Sequence, residues 1–294
     1  MSDLSLEDVS FSYQKSGKGV TLSHCSFSVN TEEVTILTGP SGCGKSTLLY
    51  LAAGLYPENA GNLLSGKILF DHRDITNMLP RERASLIGMM FQNPELQFCM
   101  ETLEQELIFC MENLRLQREE AKRRIEEAIA FCEVEHLRHR KLVTLSGGEK
   151  QRAMLACIVA IKPHLILLDE PFANLDEKTS LRIIKKLLIL NKEQGIGLLV
   201  VDHNLSLWWD VANKVVLFHE DGSLVSGNLK EALENELNTY VQSEKEEFIR
   251  KRVKELGITL PGIAYQTRKP SKSPKETVLS LKHVKVKRNK KESF

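Results

Sequence analysis

The chain has 294 residues, 42% of them hydrophobic, enough for one large domain with its own core plus an extension. Its 40 Lys and Arg nearly cancel 39 Asp and Glu, which excludes a globally basic surface, so no nucleic-acid partner is expected. Six scattered cysteines without a C-x-x-C pair point to a reducing compartment, and neither a leader-like start nor an apolar run of about 18 residues occurs, so a membrane role is expected to come through a partner.

In chain order, Leu4, Leu6, Val9 and Phe11 predict an opening strand, and the apolar run Val34-Thr-Ile-Leu-Thr38 predicts a second that stops at glycine. Residues 45–55 read as a helix, and 67–70 and 87–91 as strands. The stretch 102–142 is helical, and Ala121, Ile125, Ala128, Ile129 and Cys132 share one apolar face there, so the surrounding charges are read as a solvated face. An apolar helix at 153–161, strands at 165–168, 197–201 and 214–218, and a helix at 178–190 complete the pattern. Alternating strands and helices predict a largely parallel sheet covered by helices, interrupted by a helical block at about 95–145 that behaves as an insertion.

Gly39-Pro-Ser-Gly-Cys-Gly-Lys-Ser46 fits G-x-x-x-x-G-K-S/T between a predicted strand and a predicted helix. Glycines there let successive N–H groups converge on one anion, and the helix start adds its positive dipole end. The reading assigns Gly39, Ser41, Gly42, Cys43, Gly44, Lys45, Ser46 and Thr47 to ATP, with Lys45 on the β and γ phosphates and the Ser46 hydroxyl on Mg²⁺. Cys43, beside these N–H groups and Lys45, is expected to have a lowered thiol pKa.

Leu165-Ile-Leu-Leu-Asp169-Glu170 is an apolar strand ending in two acids, at the carboxyl edge where open α/β sheets bind ligands. Asp169 is expected to hold Mg²⁺ directly or through water, and Glu170 to act as general base on the attacking water.

Leu145-Ser-Gly-Gly-Glu-Lys-Gln-Arg152 makes a second anion-binding helix start, and it resembles the LSGGQ signature of ATP-binding-cassette (ABC) ATPases, with Glu149 in place of Gln. The resemblance spans residues 4–226 in motif order and implies a P-loop NTPase (RecA-like) α/β core with an antiparallel β subdomain and an inserted helical subdomain at about 95–160. It implies that Tyr13 stacks on adenine, Gln92 touches Mg²⁺ and water, Asp176 in Asn174-Leu-Asp176 faces the opposite cassette, and His203 holds the γ-phosphate. It also implies head-to-tail pairing with a second cassette, identical or different, so that Ser146, Gly147 and Gly148 cap the γ-phosphate bound by the other copy.

Phe91-Gln-Asn-Pro-Glu-Leu-Gln97, the helix after it and Leu256-Gly-Ile-Thr-Leu-Pro261 resemble the ATPases of energy-coupling-factor importers, which move vitamins or transition-metal ions. That implies a peripheral protein on the cytoplasmic face of the membrane, bound to a transmembrane coupling protein and a substrate-binding membrane subunit. The alternative is a soluble ABC ATPase acting on nucleic acid or ribosomes, whose coiled-coil, zinc or tandem-linker insertions are missing from inside this cassette. Leu96, Phe98 and Met100 are expected to line the groove for the membrane partner.

The expected divisions are a cassette at 1–227, an extension at 228–266 and a basic linker at 267–294. Leu279-Ser-Leu-Lys-His-Val-Lys-Val286 repeats Leu4-Ser-Leu-Glu-Asp-Val-Ser-Phe11 without gaps, which reads as the start of a second cassette, with a phosphate- or membrane-binding tail as the alternative.

Overall fold

The computed structural model describes residues 3–14, 19–172, 175–202, 207–208, 211–219 and 224–227. The expectations for Asn174, His203, the extension and the basic tail lie outside these residues.

Three strands precede the glycine loop: β1 (Asp3–Ser12), β2 (Val20–Asn30) and β3 (Val34–Thr38). The sequence predicts only two of them. The alternation in β2 is broken where its register with β1 shifts between Leu6 and Ser12, and His24 takes φ 52°, so Leu22, Cys25 and Val29 reach the core off a strict period of two. A similar irregularity hides the first half of β4 (Asn62–Phe70), of which only residues 67–70 carry a clear strand signal. With β5 (Arg73–Asp74) these form an antiparallel sheet of order β2-β1-β4-β5.

The second sheet has the order β10-β9-β3-β8-β7-β6, built from β6 (Ile87–Met90), β7 (Leu165–Asp169), β8 (Gly197–Val201), β9 (Lys214–Phe218) and β10 (Leu224–Gly227). All its pairings are parallel except β9 with β10. Parallel pairing puts the carboxyl ends of β3, β6, β7 and β8 on one edge, so loops far apart in sequence meet there.

Strand β7 shows how the layers are made. Leu165 and Leu167 join one core, with the antiparallel sheet and α1 (Lys45–Ala52), while Ile166 and Leu168 join the other, with the helices on the opposite face. Those helices are α3 (Leu103–Asn113), α4 (Arg118–Cys132), α5 (Gly147–Ile161) and α6 (Glu177–Gln194), while α2 (Pro80–Leu86) leads into β6. Ile125, Ala128, Ile129 and Cys132 are the buried stripe of α4, and Glu120, Arg123, Arg124 and Glu127 form ion pairs on its outer side, as the charge pattern predicts.

Helix α5 packs so closely on the sheet that a Cβ on Gly88 of β6 would stand 2.7 Å from the Ile158 methyl Cγ2. The start of α5 is thereby held to the same scaffold as the loop that follows β6. Among the described residues no helix is long and apolar enough to cross a membrane.

Candidate functional site

Strand β3 is fully buried and ends at Gly39, where φ is 153° and a Cβ would lie 2.2 Å from the Phe218 carbonyl oxygen of β9. Only glycine fits that close approach. At the other end of the loop Gly44 caps α1 with φ 106° and provides no side-chain bond to the first N–H groups, which stay available to an anion.

Lys45 is 6% exposed and curls back over its own loop, its Nζ donating to the carbonyls of Gly39 at 3.0 Å and Pro40 at 2.6 Å. These are neutral acceptors, so a phosphate arriving at the loop offers the ammonium a stronger partner.

The Ser46 hydroxyl donates to Asp169 Oδ1 at 3.1 Å, joining α1 to the end of β7 across 123 residues of sequence. Asp169 is 2% exposed, and burial raises its carboxyl pKa above the ordinary value against the pull of the Ser46 bond. A buried carboxylate next to a serine hydroxyl favours a small hard cation that would restore the lost solvation, and the oxygen set of Ser46, Asp169 and Gln92 fits Mg²⁺. Among the described residues no three His, Cys, Asp or Glu side chains cluster as an all-protein metal cage.

Glu170 takes φ 44°, unusual for a residue with a side chain, and its N–H donates to the Val201 carbonyl at 2.9 Å. Its Oε2 accepts from Gln92 Nε2 at 2.7 Å. The loop carrying Gln92 is closed by Gln97, whose Oε1 accepts from the Phe91 N–H at 2.8 Å and whose Nε2 donates to the Met89 carbonyl at 2.9 Å. The six-residue spacing of Phe91 and Gln97 is thus the span one amide side chain bridges.

Tyr13 is 46% exposed, its hydroxyl 2.8 Å from Thr47 Oγ1. Tyr50 and Tyr56 were not singled out by the sequence, yet both belong to an aromatic run from Tyr13 through Tyr56 and Tyr50 to Phe91, with centroid spacings of 5.7, 5.4 and 5.5 Å. The signal was available for Tyr50, which lies one helical turn after Ser46. Burial and the nearby Asp169 push its phenol up to about 12, so it stays a donor.

Cys43 departs from the expectation. Burial raises its thiol pKa, and the opposing influence of Lys45 and the loop N–H groups is the smaller one. The sequence shows the cation and the N–H groups but not the packing of Cys43 against the core. Maleimide labelling of Cys43 should therefore be slow near neutral pH, speed up as the pH rises toward and past 9, and be blocked by Mg-ATP. Peptide mapping that finds fast, nucleotide-independent labelling at pH 7 would contradict this placement.

Ser146 caps α5: its Oγ accepts from the Glu149 N–H at 3.4 Å, and Glu149 Oε2 accepts from the Ser146 N–H and hydroxyl at 2.8 Å each. Glu149 also receives Arg140 at 2.8 Å. These bonds hold its carboxyl below the usual range, which gives a local reason for glutamate in this loop. Asp176 caps α6 by accepting from the Thr179 N–H at 3.0 Å.

The site residues fall into two groups. Lys45, Ser46, Asp169, Glu170, Gln92, Tyr13 and Thr47 meet at the carboxyl edge of the parallel sheet. Ser146, Gly147, Gly148 and Asp176 line a separate cavity of about 420 Å³ with Arg152 and Lys186, and no glycine-loop residue lines it.

Residues 22–173 match the family model described as ABC transporter. A putative HMP/thiamine import ATP-binding protein of Bacillus subtilis is 34% identical over 91% of this chain and 47% of its own length, so the chain spans about half of that relative. A putative ABC transporter ATP-binding protein of Pyrococcus horikoshii is 35% identical over 83% of this chain and 90% of its own. Among solved structures, Clostridium perfringens CbiO1, described as part of the ABC transporter complex CbiONQ, superposes with a TM-score of 0.68 at 28% identity over 85% of this chain and 93% of its own. A dimeric post-hydrolysis cassette, MJ0796 bound to ADP and Pi, gives 0.67 at 26% identity over 77% and 98%. With its motifs in order on this scaffold, the chain belongs to the ABC transporter family of ATP-binding proteins, which are ATPases.

Proposed function

We propose that the chain is the ATP-hydrolysing subunit of a membrane importer of the energy-coupling-factor type, carrying vitamins or transition-metal ions. The observation that supports catalysis best is the Gln92–Glu170 bond of 2.7 Å beside the Ser46–Asp169 pair, which gathers a base, a polar positioner and a cation site in front of the glycine loop. The named imports of the Bacillus subtilis relative and the complex containing CbiO1 support the transport role.

Tyr13 packs against adenine, and the loop N–H groups and Lys45 take the phosphates. Ser46, Asp169 and Gln92 would hold Mg²⁺, which when bound offsets charge on the phosphate oxygens. Glu170 accepts the proton of the attacking water while Gln92 keeps its carboxylate in place, and His203 steadies the γ-phosphate. The separation of Ser146, Gly147, Gly148 and Asp176 from this cluster supports completion of each site by a second cassette. The repeated opening-strand motif at Leu279–Val286 supports a homologous cassette in tandem as its source.

The structure divides the three residues assigned to the partner groove. Phe98 packs against the helical-subdomain core, and Glu106 accepts from the N–H groups of Cys99 and Met100 at 2.9 and 2.8 Å, whereas Leu96 is 75% exposed. Phe98→Asp would therefore damage folding, and Leu96→Asp is the informative variant. With the membrane subunits co-expressed and identified by mass spectrometry, it should reduce their co-purification by about tenfold and leave basal ATPase within about twofold of wild type. Unchanged co-purification of a coupling protein would remove Leu96 from the contact, and absence of any membrane partner from the wild-type preparation would count against the importer reading.

A further inference from the structure

We propose that Tyr50 is a positioning residue for the cation site, fixing the rotation of the Asp169 carboxylate through its hydroxyl. This rests on the reading of Asp169 as an Mg²⁺ holder.

The carboxylate of Asp169 has two oxygens with different donors. Oδ1 receives the Ser46 hydroxyl at 3.1 Å, and Oδ2 receives the Tyr50 hydroxyl at 3.4 Å. Both donors come from α1, one turn apart, so a single helix sets the carboxylate plane from two points. Asp169 ends β7 and is 2% exposed, so water has little access to replace a missing donor.

The phenol is itself held. Its ring meets Tyr56 edge-on at 5.4 Å and 83°, and Phe91 at 5.5 Å and 67°. Phe91 directly precedes Gln92, which donates to Glu170. Tyr50 therefore stands between the cation-holding acid and the loop that carries the positioner of the base. Were the Ser46 hydroxyl to leave Oδ1 for a cation, the Tyr50 bond to Oδ2 would still restrain the carboxylate.

Tyr50→Phe removes the hydroxyl and keeps the ring packing. The test is Mn²⁺ binding followed by electron paramagnetic resonance in the presence of a non-hydrolysable ATP analogue, with affinity for the same analogue in EDTA measured alongside. Tyr50→Phe should weaken Mn²⁺ by about fivefold and leave the EDTA affinity within about twofold of wild type, and Asp169→Asn should weaken Mn²⁺ by more than about tenfold. Wild-type Mn²⁺ affinity in Tyr50→Phe, with Asp169→Asn impaired, would overturn the positioning role alone. Equal loss of analogue binding with and without metal would also overturn it, by making Tyr50 a support of the glycine loop. Normal Mn²⁺ binding in Asp169→Asn would overturn the cation-site reading and this inference with it.

Discussion

Glu170→Gln should lower ATP turnover by about 10²- to 10³-fold while nucleotide binding is retained. The side chain keeps its size and an oxygen to accept from Gln92, so the 2.7 Å contact and the loop it anchors survive. What disappears is a carboxylate able to take a proton from water. Loss of an anion near the phosphates also removes a repulsion, so ATP-bound cassettes should stay paired. Phosphate release in steady state, with size-exclusion chromatography in excess ATP, reads both effects. Turnover within about twofold of wild type would sink the assignment of the base.

Lys45→Ala should weaken Mg-ATP binding by about 10- to 100-fold and bring turnover to background, because a charge-assisted bond to phosphate is worth about 1.5–3 kcal/mol. The nucleotide-free fold should change little. Among the described residues Lys45 bonds only to carbonyls of its own loop and to the Cys43 sulfur, and alanine is a good helix former. Fluorescent-nucleotide titration separates binding from catalysis. Affinity within about threefold of wild type would mean that the ammonium does not reach the phosphates.

These two variants target residues that the sequence identifies without a structure, and the reason is contiguity. The glycine loop joins a five-residue buried strand to a helix, and Asp169 ends another five-residue buried strand with Glu170 directly after it, so each motif carries its own scaffold within a short window. Ser146 is legible for a similar reason, since a serine with flanking glycines just ahead of an apolar helix reads as a helix cap from local sequence. The antiparallel sheet was harder to read. Its bulges shift the register between Leu6 and Ser12 and again opposite β4, and period-two pattern reading fails where the pairing itself is irregular.

The sequence by itself determined the family's motifs, their order, the alternation that makes a parallel sheet and the solvated face of α4, because each depends on neighbours within one or two turns of chain. Only the tertiary structure decided which side chains meet. Parallel pairing brings Ser46 to Asp169 across 123 residues and Gln92 to Glu170 across 78, while Tyr50 enters the site through the turn it shares with Ser46. It also decided the direction of the Cys43 shift and the division between Phe98, partly buried against the helical core, and Leu96 at the surface. Burial depends on everything packed around a residue, and a local pattern shows only the charges and donors beside it in the chain.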